Sequence, residues 1–252
     1  MELSREKKQE IMRRVTRLVA AYHEGLLGGE VMPEDENPGL LRGSAENYAY
    51  FTLPMALNYQ RNSYSLWRSA RQTYRDTNTC DVFEPAVAAQ MDTALLREKL
   101  TAYKLALQPH KQTDIWQTLC ISFTELFGGD IRAFFVAQSY SVAQIRQYVH
   151  ANKRAFPYLG GEKLLNYWLY VLMNYTDAVF PDKDLLTVSP DTHIIQASVK
   201  LGLITPAEAQ KSDARRVVAE RWNEFLAGSA FHPLQVHTPL WLWSREHFTV
   251  EI

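Results

Sequence analysis

Two short stretches of the chain carry residue types that could do chemistry together. The first is Leu159-Gly160-Gly161-Glu162-Lys163, a glycine turn running into a helix with a lysine in its first turn. A glycine turn before a helix leaves backbone N–H groups free and lets another backbone approach closely. Such a concavity binds phosphate, aided by the helix dipole. A lysine just inside the helix would sit beside the bound backbone, and its amine is a nucleophile once it has lost its proton. The second stretch is Pro190-Asp191-Thr192-His193-Ile194, which opens another helix. A carboxylate there holds negative charge in a fixed place, where it can stabilise an electron-poor sugar C1′ while a glycosidic bond breaks. Singly, each feature has an ordinary explanation: a turn, a cap, a solvated lysine. Their order, turn–lysine–helix and then Pro-Asp-Thr-His–helix, singles them out.

The elements that must position these residues are helical. Ile11, Val15, Leu18 and Val19 share one face of a first helix, with Ser4 as a weak cap. Gly28, Gly29, Pro33, Pro38 and Gly43 mark the loop that follows. A second helix starts near Ala45 and runs past Leu57, with Pro54 kinking or splitting it, and Ser63–Tyr74 suits a third. Asp92 or Thr93 caps the next, and Asp114 caps another that ends at Gly128-Gly129. Helices follow at Ile131–Ala137, after Ser141, after Gly161 and over Asp191–Leu203. Thr205-Pro206-Ala207-Glu208 is a well-formed helix start, Asp213–Leu226 is helical, and Leu234–Trp243 is a last short helix. There is no alternating strand run, internal repeat or linker. The expectation is an all-α, two-lobed helical bundle with a cleft between the lobes, one lobe over roughly 45–150 and the other over roughly 151–252 packed with the N-terminal helix.

Composition narrows the chemistry. The 252 residues are 46% hydrophobic and 22% charged, which suits a packed core rather than disorder. Cys80 and Cys120 are the only cysteines, too few for a disulfide scaffold or for a zinc or iron–sulfur site built from Cys alone. The charged start MELSREKKQEIMRRV is unlike a signal peptide, and Leu164–Val179, the richest apolar window, is broken by Asn166, Asn174 and Asp177. The expected setting is therefore cytoplasmic, with no membrane contact. The net charge of −1 requires any nucleic-acid contact to come from a local patch. No phosphate-binding Gly-Lys loop, dinucleotide fingerprint, zinc-protease helix or serine nucleophile elbow is present. His232 and His237 are the one close histidine pair, and core or surface histidines explain them better than zinc.

With these residues in view, the chain resembles the helix–hairpin–helix glycosylase superfamily of DNA repair. In that family a glycine-rich hairpin precedes a catalytic lysine, which Lys163 matches, and a V-D-T-H-hydrophobic stretch supplies the catalytic aspartate, which Asp191 matches. The spacing between them resembles the archaeal 8-oxoguanine glycosylase branch, as does His232-Pro233-Leu234-Gln235-Val236-His237-Thr238-Pro239-Leu240-Trp241. The resemblance implies that Trp241 contacts the base, that Tyr167 stacks on it and that Trp67, after Ala56-Leu57-Asn58-Tyr59, is the opposing stacking residue. It implies duplex contacts from Leu159, Gly160, Gly161, Lys153 and Arg154, joined by Arg146. Arg215 and Arg216 fit a solvated helix face slightly better. Two departures stand out. Tyr158 takes the place of the hairpin proline, and His237 stands where the branch has an acid that reads oxidised guanine. The second departure points away from 8-oxoguanine to another damaged or modified base, such as a hypermodified base of phage DNA in antiviral defence.

What the resemblance implies is a DNA glycosylase and AP lyase. A nucleotide flips out of double-stranded DNA, Lys163 attacks C1′ with Asp191 assisting, and the Schiff base permits strand cleavage. No metal, cofactor or obligatory protein partner is implied, save a monovalent cation at the hairpin. Two rival readings stand beside it. One is a small-molecule N-glycosidase of the queuosine-salvage type, which Arg42–Tyr48 and Leu240–Trp243 loosely resemble. The other is a non-catalytic DNA-binding module.

Overall fold

The computed structural model describes residues 4–27 and 32–252, and among them all regular structure is helical. Gly28 and Gly29 of the expected first loop lie outside the described residues. Helix α1 (Arg5–His23) is capped by Ser4, whose Oγ accepts the Lys7 N–H, and it buries Ile11, Val15, Leu18 and Val19. Helix α2 (Ala45–Thr52) starts at the Ser44 cap. It stops before Pro54, which begins a 3-10 turn to Leu57, so the expected single helix is two pieces. Helices α3 (Ser63–Arg75), α4 (Pro85–Gln90) and α5 (Thr93–Ala102) follow, the last capped by the Asp92 carboxylate.

Helix α6 (Pro109–Phe127) corrects one reading: Asp114 lies inside it rather than at its start, because Pro109 opens the helix a turn and a half earlier. Its far end is closed by Gly128 at φ 66°, the left-handed conformation that glycine adopts without cost. Helix α7 spans Ile131–Ala137 and α8 spans Val142–Ala151. The α8 N-terminus is held from a distance, since the Asp182 carboxylate accepts from Ser141 Oγ and from the Val142 and Ala143 N–H groups. Then come α9 (Glu162–Tyr175), α10 (Thr192–Leu201), α11 (Pro206–Ala209, with a Thr205–Glu208 capping box), α12 (Ala214–Leu226) and α13 (Pro233–Arg245). Helix α13 is longer than expected and carries Pro239 within it.

The chain divides into two compact units. The middle unit is Val31–Lys183; the terminal unit joins Met1–Glu30 to Asp184–Ile252. The boundary expected near residue 150 therefore falls at 183, and the hairpin and α9 belong with the helices before them. The reason is aromatic. Trp168 of α9 stacks on Phe134 at 5.9 Å and packs against Phe135 at 5.3 Å, and its indole N–H donates to Thr52 Oγ1 of α2 at 3.0 Å. Phe123 and Phe156 close the same core. In the terminal unit α10 and α13 pack together and α1 lies against α13. Trp222 of α12 donates to Ser198 Oγ of α10 at 2.9 Å, a buried bond that fixes the register of those two helices.

Candidate functional site

The Asp191 carboxylate is the most constrained of the expected site residues. It caps α10, Oδ1 accepting the Ile194 N–H at 3.0 Å. Its second oxygen accepts the Trp241 indole N–H of α13 at 3.1 Å. The expected aspartate and the expected base-contacting tryptophan are thus bonded to each other. Trp241 in turn lies edge-on to the His193 ring at 5.5 Å and carries the Arg245 guanidinium over its ring at 5.1 Å. His193 Nδ1 and Ser244 Oγ are 3.4 Å apart, and Ser244 Oγ donates to Gln196 Oε1 at 3.0 Å. Gln196 and Ser244 open onto a cavity of about 760 Å³ with Lys200 and Phe248. This polar chain behind Asp191 was not visible in the sequence, although His193 and Gln196 are one turn apart on α10.

His237 accepts the Ser189 N–H on Nδ1 at 3.4 Å and is half-buried. It thereby anchors the backbone two residues before Asp191. His232 does not join it in a metal site, since its ring caps its own helix by accepting the Leu234 N–H. Among the described residues no group of three or more His, Cys, Asp or Glu side chains is placed to hold a metal ion.

Lys163, Tyr167 and Trp67 belong to the middle unit. Lys163 is exposed in the first turn of α9, after the Gly161 N-cap. The hairpin that delivers it is tight. Leu159 is fully buried and anchors it. A Cβ on Gly160 would come 3.2 Å from Val149 Cγ1 of α8, so glycine permits the close approach, and the Gly160 carbonyl pairs with His150 Nε2 at 2.7 Å. Gly161, Lys153 and Arg154 are exposed.

Tyr167 is half-buried one turn after Lys163, and its hydroxyl accepts the Trp67 indole N–H at 3.4 Å. Trp67 departs from expectation. It is fully buried, with Tyr50 and Phe51 ring centroids 5.8 and 5.6 Å away, and so builds the aromatic core rather than offering an open face to a base. Arg216 pairs with Glu220 and Asp213 on an exposed face, consistent with the solvated reading of that segment.

One residue beside this cluster gave no sequence signal. Glu34 lies in a 3-10 turn (Pro33–Asp35) that reads as a polar loop, yet it is fully buried and neither carboxyl oxygen has a hydrogen-bond partner. Burial pushes its carboxyl from the ordinary 4.5 up to about 8, with Asp35 adding to the rise. At neutral pH it is a neutral acid that can both donate and accept. The turn is strapped in place by Tyr175 Oη donating to Asp35 Oδ1 at 2.7 Å and by an Arg71–Glu36 pair at 3.6 Å.

No protein-family model matches the chain, and no curated protein matches it. The site must therefore be read from its own chemistry.

Proposed function

We propose that the protein is a DNA N-glycosylase with strand-cleaving activity, acting on a damaged or modified base turned out of the duplex. The observation that carries this reading is the Asp191 carboxylate, held on one oxygen by the α10 N-terminus and on the other by the Trp241 indole. A charge fixed by two donors needs no reorganisation when positive charge develops on a sugar carbon.

The reading assigns Lys163 and Asp191 to one reaction. The Lys163 amine bonds to C1′ as the C1′–N bond breaks, and that electron pair leaves with the base, which takes up a proton. Loss of the lysine nitrogen's proton as the sugar ring opens gives a Schiff base. Removal of a C2′ proton then expels the 3′ phosphate by β-elimination. Tyr167 and His237 are the side chains assigned to the base, and the hairpin with Lys153 and Arg154 to the phosphates.

Borohydride trapping tests the reading. Duplexes carrying a panel of damaged and hypermodified bases should give a covalent protein–DNA adduct that is absent in Lys163→Gln, and Asp191→Asn should abolish base release. Absence of base release and adduct from the whole panel removes the proposal. Turnover of a queuosine nucleotide with none of DNA selects the salvage reading instead.

A further inference from the structure

The middle unit carries two tyrosine rings, beside the hairpin, to which the reaction above gives no role. Tyr59 is 52% exposed, and its ring lies 5.4 Å from that of Tyr158 in the hairpin. The Lys111 ammonium stands 5.2 Å over the Tyr158 ring. Three segments meet here: 58–63, 103–112 and 150–161. The first two are stitched together by Arg61, which donates to the Lys104 and Leu105 carbonyls. None of the three contains an Asp or Glu, and Lys104, Lys111, Lys153 and Arg154 are all exposed. On a chain of net charge −1 that is a concentrated cationic face.

The backbone beneath the two rings is strained. Tyr158 sits at φ 65° and Gln60, next to Tyr59, at φ 50°. Left-handed backbone at residues other than glycine is unfavourable and persists where the surroundings impose it. Neither tyrosine ring fills the fully buried core. Aromatic faces set among cations are what a nucleic-acid strand with exposed bases binds, stacking on the rings while its phosphates meet the charges.

We propose that Tyr59 and Tyr158 form a stacking platform, steadied by Lys111, for the base left unpaired when its partner leaves the duplex. The proposal deepens the glycosylase reading and rests on it. Holding the orphan base lowers the cost of the extruded state, because unstacking is part of that cost.

The probe is a short duplex with a tetrahydrofuran abasic analogue opposite 2-aminopurine, compared with the same duplex fully paired. Wild-type protein should change the 2-aminopurine fluorescence and bind the abasic duplex more tightly than the paired one. Tyr59→Ala/Tyr158→Ala should lose the fluorescence change and about tenfold of affinity for the abasic duplex alone, a stacking-sized effect. Tyr158→Phe should behave as wild type. Tyr158→Gly suits the left-handed backbone, so it should lose the fluorescence change while melting no lower than wild type. Retention of the fluorescence change by the double alanine variant, or a fall of several degrees in Tyr158→Gly, overturns the platform. Wild-type binding to the abasic duplex with no fluorescence response overturns it too while leaving the glycosylase reading standing. Failure to bind any duplex overturns both.

Discussion

Asp191 shows how much one indole can matter. Trp241 Nε1 supplies one of its two hydrogen bonds, and a bond to a charged group is worth about 1.5–3 kcal/mol. Trp241→Phe keeps an aromatic ring and deletes the donor. Single-turnover base release should slow by roughly ten- to a hundredfold while binding to uncleaved DNA holds. Glu34 makes a different prediction, set by its folded value of about 8 against the ordinary 4.5. Below the lower value both folded and unfolded chains carry the proton. Above it the unfolded chain releases the proton and the folded chain keeps it, so this group makes stability fall as pH rises, by up to about 1.4 kcal/mol per unit, until the folded carboxyl itself ionises. Thermal melts of Glu34→Gln should lack that decline and exceed wild type at pH 8. An identical pH profile in the two proteins would contradict it.

At the scale of elements, the sequence was most informative where structure is local. The caps Ser4, Asp92, Ser141 and Thr205 each bond the backbone of the helix they precede, so residue type and spacing alone locate those starts. Asp191 was legible for the same reason, as an acid before a helix in a recognisable run. Asp114 misled because a cap-type residue inside a helix looks the same in sequence as one at its start; Pro109 was the better signal. What stayed hidden was tertiary. Nothing local distinguishes Glu34, buried beside aromatic rings, from Glu36 two residues on at the surface pair with Arg71. Trp67 likewise looked like a binding aromatic because sequence does not say which face neighbours cover. The hairpin supplies a test of its own. Gly160→Val would drive branched carbons into Val149, costing about 1–3 kcal/mol and displacing the start of α9. A lowered melting temperature, with a larger proportional loss of abasic-duplex affinity than of stability to urea, is the expected result.

At the scale of the whole molecule, near-neutral charge and a local cationic face act together. On the glycosylase reading, phosphate contacts drawn from the exposed Lys104, Lys111, Lys153 and Arg154 should give binding a modest salt slope compared with a uniformly basic protein. Lys153→Ala/Arg154→Ala should reduce the slope of log affinity against log salt by about 2, equally for abasic and intact duplex. An unchanged slope would remove those residues from the contact. Their spacing was legible in the sequence, whereas their neighbourhood with Lys111 and Tyr59, about forty and ninety-five positions away, was not.

The terminal unit joins the two ends of the chain, and α1 rests against α13 more than two hundred residues later. During vectorial synthesis the first helix therefore emerges long before its packing partner exists. The middle unit, contiguous in sequence, has all its own contacts available first and should acquire exchange-resistant amides while α1 is still labile. Arrested nascent chains ending before Pro233 would then present an organised middle and an unprotected leading helix, a state in which a chaperone finds Ile11, Val15 and Leu18 uncovered.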